Sequence, residues 1–344
     1  MARHHLPADR VPGFIAHLQT RKRVVAPHRR GARSFAFAEV TDPARVVLDY
    51  PRTLQSVKKF FLPPRERLLK FRIADQSFEP QQPQPCDTIF LGVHSYDLQA
   101  VFRLDHNFRE GQPESHYLIR RQGAVFVGVD FTPDAYHFSD SVGIPVRCTD
   151  GFDLFLYRVD DGYVLEDLTD TGRSLLEGLE LAPWDGVLPP PGKFQQHLYA
   201  PPERVAEALA VSYDHPVWEE AVRHCVGCGS CNLVCPTCYC FEVSDEVDVS
   251  VTQGARVRYW DGCTVRDFTR VAGGEVFREG LDTRQRHRVY RKFKYITDRT
   301  GQAWCVGCGR CTAACPAGIS IVEIVNRVVI DYDRGRTPAA GARA

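Results

Sequence analysis

The chain has 344 residues, with 43 lysines and arginines balanced by 43 aspartates and glutamates, and it has 13 cysteines. This length suggests two domains with ample hydrophobic core, and a formal charge of zero excludes a global field that would hold nucleic acid or an anionic membrane. No run of about 18 apolar residues occurs, and the first ten residues lack the apolar stretch of a secretory signal. We therefore expect a cytoplasmic protein without membrane insertion.

Residues 1–190 are predicted to form a mixed α/β domain, because apolar residues recur there at both strand and helix spacing. The predicted elements, in chain order, are a helix over 11–19, a buried strand over 88–93, a helix over 96–108, a buried strand over 124–129 and a hairpin over 152–168. No Gly-rich dinucleotide fingerprint or Walker loop occurs anywhere in the chain. We therefore predict no catalytic residues and no nucleotide site, and we expect this domain to dock partners.

The cysteines are unevenly distributed along the chain. Only Cys86 and Cys148, which are most simply structural thiols, precede residue 225, whereas the other eleven lie within 225–315. An odd number of cysteines without a secretory signal argues against a disulfide framework, because the cytosol keeps thiols reduced. Metal or redox chemistry is therefore the first hypothesis. Proline-rich sequence before the cysteines places a domain boundary near residue 190.

One motif, Cys-x2-Cys-x2-Cys-x3-Cys-Pro, occurs twice and begins at Cys225 and at Cys305. Three thiolates at this spacing on a tight loop can each reach a different iron of a [4Fe–4S] cubane, and the fourth cysteine ligates the other cluster in two-cluster ferredoxins. Zinc sites usually use two separated Cys-x2-Cys knuckles, a spacing that this motif does not match. A zinc-stabilised interaction module is the alternative from another functional class. The predicted ligands are Cys225, Cys228, Cys231 and Cys315 at the first site, and Cys305, Cys308, Cys311 and Cys235 at the second site.

Two neighbouring clusters can pass single electrons, but no motif supplies a terminal substrate site. We therefore predict an electron-transfer subunit of a multi-subunit oxidoreductase, which relays electrons between a flavin-bearing partner and a catalytic one. Long helical flanks at 202–224 and 319–330, and an insert of roughly 65 residues, favour a helical arrangement of the two motifs. The predicted fold class is α+β, with an α-helical dicluster ferredoxin domain over 191–335 and a disordered tail over 336–344.

Three further cysteines, Cys238, Cys240 and Cys263, lie between the two motifs. Free cysteine is among the most buried residue types, so they can be inert thiols packed near the clusters. The alternative is a third iron–sulfur site with an unidentified fourth ligand.

The region between the motifs is basic, with twelve lysines and arginines against six acidic residues from Arg256 to Arg299 and a dense run at 284–294. A solvated helix face would explain such a run. The other interpretations are electrostatic compensation of anionic clusters, docking of an acidic partner, and nucleic-acid binding. We favour compensation or partner docking and expect no nucleic-acid partner.

Over nearly its whole length the sequence resembles the iron–sulfur beta subunit of cytoplasmic NiFe sulfhydrogenases, which are NADP-linked, and the related A subunit of anaerobic sulfite reductase. The resemblance rests on the segments CPTCYCF at 235–241, WDGC at 260–263, VKKFFLPPRE at 57–66, GVHSYDLQA at 92–100 and YLIRR at 117–121. It implies a cytoplasmic complex in which a flavin- and NAD(P)-binding subunit passes electrons through this chain to the small and large hydrogenase subunits. The runner-up is the A subunit of a sulfite reductase.

The chain departs from this family at two places. Many members have Pro-Cys-Asp where this chain has Ser95, Tyr96 and Asp97, and a Cys-Phe-Cys segment where it has Tyr136, His137 and Phe138. A metal site built on those cysteines cannot form in this chain.

Overall fold

The computed structural model of the protein describes residues 2–336, so residues 337–344 of the predicted disordered tail lie outside the described part. The strands are β1 (Arg3–Pro7), β2 (Arg23–Arg29), β3 (Phe35–Glu39), β4 (Arg65–Arg72), β5 (Ser77–Pro80), β6 (Thr88–Val93), β7 (Val125–Val129), β8 (Leu154–Val159), β9 (Gly162–Asp167), β10 (Ala182–Pro183), β11 (Phe241–Val247) and β12 (Gln253–Trp260). The helices are α1 (Val11–Arg21), α2 (Lys58–Phe61), α3 (Ser95–Arg109), α4 (Ser115–Arg121), α5 (Asp170–Leu176), α6 (Pro202–Ala210), α7 (Val217–Val222), α8 (Ser230–Leu233), α9 (Leu281–Tyr290), α10 (Ile296–Thr300), α11 (Arg310–Ala313) and α12 (Ile321–Asp333).

The N-terminal half is built around an eight-stranded mixed sheet with the order β10-β1-β9-β8-β7-β6-β2-β3. Its central strands β2, β6, β7 and β8 are parallel, and every residue of β6 and β7 is buried. These two strands are the apolar runs predicted over 88–93 and 124–129, and α3 follows β6 as the sequence predicts. The predicted hairpin forms β8 and β9, which pair antiparallel. The mixed α/β prediction for this half is therefore confirmed.

A second, four-stranded antiparallel sheet has the order β11-β12-β4-β5 and takes strands from both sides of residue 190. Its β4 and β12 pair directly, with Glu66 opposite Arg258. These two side chains form a buried ion pair, and Glu66 also binds His116 of α4. The predicted domain boundary stays a prediction, but the two halves share this sheet.

The hairpin β11–β12 corrects one part of the sequence analysis, because residues within 191–335 were expected to be helical. Ala255, Val257 and Tyr259 alternate along β12, which is strand spacing, and Val257 is fully buried. This segment is stable as a strand because it pairs with β4, which lies far away in the sequence.

The remaining C-terminal elements are helical, and they form the rest of the predicted dicluster region. The predicted helix over 202–224 is broken near Pro216 as expected, into α6 and α7. Together with α9 and α12 these helices enclose a second hydrophobic core, which Tyr96, Phe131 and Phe138 of the N-terminal half also enter. Within residues 2–336, no helix combines the length and apolar character needed to cross a membrane.

Candidate metal centre

The first site is a cavity beside the short helix α8. Its wall contains the complete cysteine set predicted for the first cluster, although one member arrives from the end of the second motif. Cys311, which is assigned to the second site, also borders this cavity, as do Arg284 and Arg288 of α9. The structure brings together Cys225, Cys228, Cys231 and Cys315.

The second site gathers the other predicted set, because Cys235 lies close enough to interact electrostatically with Cys305 and Cys308. Burial raises the pKa of the Cys305 thiol to about 12 and that of Cys308 to about 11. Bound iron requires thiolates, so its positive charge would have to overcome this preference for the neutral form. The two sites adjoin, since the thiols of Cys231 and Cys311 also interact.

The two motifs share the segment CVGCG but differ sharply in exposure. Val226 of the first motif is 72% exposed, whereas Val306 at the same position of the second motif is 2% exposed. Cys228 is exposed and Cys308 is buried. The first site therefore opens to the surface and the second is enclosed.

The N-terminal half covers the second motif at its two glycines. The backbone N–H of Phe138 donates to the carbonyl of Gly307 at 2.9 Å. A Cβ on Gly307 would lie 2.4 Å from the Cα of Ser139, and one on Gly309 would lie 2.4 Å from the carbonyl oxygen of Tyr136. Both glycines have positive φ, at 64° and 69°. Glycine at these positions permits both the turn and the close approach of the covering segment.

The basic run over 284–294 points largely inward. Arg284 and Arg286 donate to backbone carbonyls of Thr264 and Tyr213, respectively. The interpretation of the run as a solvated helix face is therefore wrong for its central residues, because four of its cations are buried: Arg284, Arg286, Arg288 and Lys292.

Arg288 and Lys292 lie among the cysteines of the two sites. Burial works to lower the pKa of both side chains, but the neighbouring thiols outweigh it and raise the pKa above its usual value. For Arg288 the largest such contribution comes from Cys231, and for Lys292 from Cys235. Lys292 also donates a hydrogen bond of 2.6 Å to the hydroxyl of Thr237.

Lys58 brings a third buried cation from the N-terminal half. Its ammonium group donates to the carbonyl oxygens of Cys235 and Cys238, each at 3.0 Å, and lies 3.8 Å from the ring centre of Trp260. Burial lowers the pKa of Lys58 to about 8, although the nearby thiols oppose this shift. Lys58 thus connects α2 to the loop that contains Cys235 and Cys238.

These three cations provide a test of whether the residues fit iron–sulfur clusters. Within residues 2–336, Lys58, Arg288 and Lys292 make no ion pair with a carboxylate. A buried charge without a counter-charge is costly. Thiolate-ligated iron–sulfur clusters carry net negative charge, so a cluster at each site would supply the missing anions. The donor set and its surroundings therefore fit the cofactor.

Cys238, Cys240 and Cys263 form a group next to the second site. The side-chain amide of Asn232 donates to the sulfurs of Cys238 and Cys263, both at 3.5 Å. Burial raises the pKa of Cys240 to about 11, with Cys263 as the next largest cause. Both interpretations of this group, inert thiols and a third iron–sulfur site, stay open.

Across residues 2–336, no three or more His, Cys, Asp or Glu side chains are arranged to hold a metal ion. This holds for the predicted ligands of both clusters as well as for the central cysteines. In a cubane each thiolate binds a different iron, so the ligands surround the cluster and need not converge on one point.

Packed rings occupy the two segments, around Tyr96 and His137, where the sequence departs from the family that it resembles. The hydroxyl of Tyr96 lies 2.6 Å from Nδ1 of His94, and the rings of Tyr96 and His137 are 5.4 Å apart. Burial lowers the pKa of both histidines. Aromatic rings from the two segments, those of Tyr96 and His137, thus pack against each other.

Sequence reasoning did not single out Lys58, Asn232 or Arg288 as site residues. A signal existed for Lys58, because it belongs to the family-like segment VKKFF, and for Arg288, which lies in the basic run. Asn232 had no such signal, since its role depends on Cys263 reaching it from another segment.

Comparisons with known proteins indicate the same kind of cofactor. Residues 224–319 match the family described as 4Fe-4S dicluster domain. The chain is 32% identical over 336 residues to sulfhydrogenase 2 subunit beta of Pyrococcus furiosus, and the match covers 94% of this chain and 97% of the relative. The chain therefore belongs to the sulfhydrogenase beta-subunit family and is an iron–sulfur electron-transfer subunit of an oxidoreductase.

Proposed function

We propose that the chain relays single electrons, in the cytoplasm, between a flavin- and NAD(P)-binding subunit and the small and large subunits of a NiFe hydrogenase. The observation that carries this proposal is the pair of adjoining four-cysteine sites with buried cations that have no carboxylate partner within residues 2–336. The full-length similarity to a sulfhydrogenase beta subunit supports the choice of a hydrogenase.

In this proposal the first site holds one [4Fe–4S] cluster through Cys225, Cys228, Cys231 and Cys315, and the second site holds another through Cys305, Cys308, Cys311 and Cys235. Such clusters change oxidation state by one electron with little rearrangement. The chain's own contribution is to hold the thiolates, to balance their charge with Lys58, Arg288 and Lys292, and to cover the second site with the N-terminal half.

The exposed first site suits exchange of electrons with a partner, because a donor or acceptor can approach Cys228 closely. The enclosed second site is shielded from solvent by residues 136–139. Electrons that pass between the sites have a short route where Cys231 and Cys311 adjoin.

Purification of the chain with its native partners tests the proposal. Co-elution of nickel and flavin, with hydrogen-dependent reduction of NAD(P), is the expected result. Oxidation of an electron donor that depends on sulfite, in a complex without nickel, would select the sulfite reductase alternative instead. Metal analysis addresses the zinc alternative: about eight irons per chain and absorption near 400 nm that dithionite bleaches are expected for two cubanes, whereas a colourless zinc protein would refute the electron relay.

A further inference from the structure

The four-stranded sheet has two edges that differ in their protection. At one edge, β5 has four residues and ends at Pro80, and short strands and proline are devices that block further pairing. At the other edge, β11 has seven residues, all exposed, and no proline. Among the described residues no strand pairs with its outer side, and an unpaired edge strand is a liability that folded proteins usually manage.

The composition of β11 restricts what can pair with it. Phe241, Val243 and Val247 share one face, and all three are exposed. Glu242, Asp245 and Glu246 make the strand acidic, and neither β11 nor Asp248 after it contributes a basic residue. Glu246 pairs with Arg65 and Asp245 with Arg256, but Glu242 has no ion-pair partner among the described residues.

A second copy of this chain is a poor occupant of the edge. Antiparallel pairing of two β11 strands centred on Ser244 would place Glu242 of each copy opposite Glu246 of the other. A parallel in-register pair would align identical acidic residues. Like charges directly opposite each other destabilise a strand pair. The edge therefore fits a different chain with basic residues at the facing positions.

We propose that β11 is a docking edge to which a redox partner subunit adds an extended segment, with lysine or arginine facing Glu242 and apolar side chains beside Val243 and Val247. This inference rests on the proposed function, because it requires a multi-subunit complex. Phe241 follows Cys240 directly, so a strand added here would bring the partner next to the group of Cys238, Cys240 and Cys263. Main-chain hydrogen bonds give such strand addition its affinity, and alternate side chains give its specificity.

Hydrogen exchange of the purified native complex, compared with the isolated chain, tests the proposal. We expect amides of β11 to exchange at least tenfold more slowly in the complex and amides of β5 to be unchanged. Equal exchange of β11 in both samples would overturn the docking edge. Protection of β11 that grows with the concentration of the isolated chain would also overturn it, because it would identify a second copy as the occupant.

Charge reversal gives an independent measurement. Glu242→Lys should weaken association with the partner about fivefold, since it replaces an attractive cross-strand pair with a repulsive one. Glu79→Lys on β5 is the matched control and should leave association unchanged. Equal affinity of the two variants would contradict the proposal. A complex that retains hydrogen-dependent activity without β11 protection would refute only the docking edge, whereas purification without hydrogenase partners would refute the proposed function.

Discussion

Arg310 and Asp97 form a two-pronged, fully buried ion pair that joins the second cysteine motif to α3 of the N-terminal half. Nη1 of Arg310 lies 2.6 Å from Oδ1 of Asp97, and Nη2 lies 2.7 Å from Oδ2. The same guanidinium donates to the backbone carbonyl and the hydroxyl of Thr53. Arg310 immediately precedes Cys311, so this pair anchors a ligand-bearing turn to a rigid helix.

Asp97→Asn should destabilise the protein strongly, because it leaves the Arg310 charge buried without its anion. We expect a loss of about 3 kcal/mol or more, as for other buried pairs broken on one side, measured as a fall in Tm under anaerobic conditions. Asp298→Asn is the control, since it breaks the partly exposed pair with Lys294, which should contribute less than about 1 kcal/mol. Similar Tm values for the two variants would show that the Arg310 pair has no anchoring role.

Removal of the fourth cysteine of each motif should damage the cluster of the opposite motif. Cys315→Ser should affect the first site, which Cys315 lines together with Cys225. Cys235→Ser should affect the second site, where Cys235 lies near Cys305. Each variant is expected to lose up to about four of eight irons, and electron paramagnetic resonance should identify the cluster that remains. Damage confined to the cluster of the mutated motif would refute crossed ligation.

Neutralising Lys292 should make the reduction potential of the second cluster more negative. Reduction adds negative charge, and the buried ammonium group near Cys235 and Cys305 stabilises that charge. We expect Lys292→Met to shift the potential by about 60 mV, which is a tenfold change for one electron, in a potentiometric titration.

Lys294→Met is the matched control for this measurement. Lys294 lies two residues further along but pairs with Asp298 and is partly exposed, so its loss should leave both potentials nearly unchanged. Equal shifts in the two variants would mean that a general change of charge, and not the position of Lys292, sets the potential.

Alanine at the two equivalent glycines should have unequal effects. Gly227 and Gly307 both have positive φ, at 68° and 64°, so both variants carry similar backbone strain. Near Gly227 a Cβ would meet flexible side-chain atoms of Leu281 at 3.3 Å and of Arg284 at 3.9 Å, whereas near Gly307 it would clash with the backbone of Ser139. Gly307→Ala should therefore disrupt the packing of residues 136–139 over the second site.

Accessibility to an oxidant measures this difference. In the wild type and in Gly227→Ala, ferricyanide should destroy the exposed first cluster well before the second. In Gly307→Ala the second cluster should become comparably sensitive. If the second cluster of Gly307→Ala were still destroyed slowly, residues 136–139 would not be what protects it.

Local sequence patterns predicted much of the fold. The buried strands β6 and β7, the helix α3 and the hairpin β8–β9 follow from hydrophobic spacing within a few residues. The hairpin β11–β12 was missed because β12 is stabilised by pairing with β4, about 190 residues earlier in the chain. Alternation of apolar and polar residues in a short segment does not indicate which distant strand will pair with it.

The sequence by itself determined which eight cysteines are the candidate ligands, because the spacing of three residues is a local property that matches the geometry of a cubane. Only the tertiary structure decided that the two similar motifs have opposite exposures and that the basic run turns inward. Val226 and Val306 have identical neighbours in sequence, and their environments differ because residues 136–139 fold over the second motif alone. Burial depends on contacts between distant segments, so no local pattern could have distinguished the exposed site from the enclosed one.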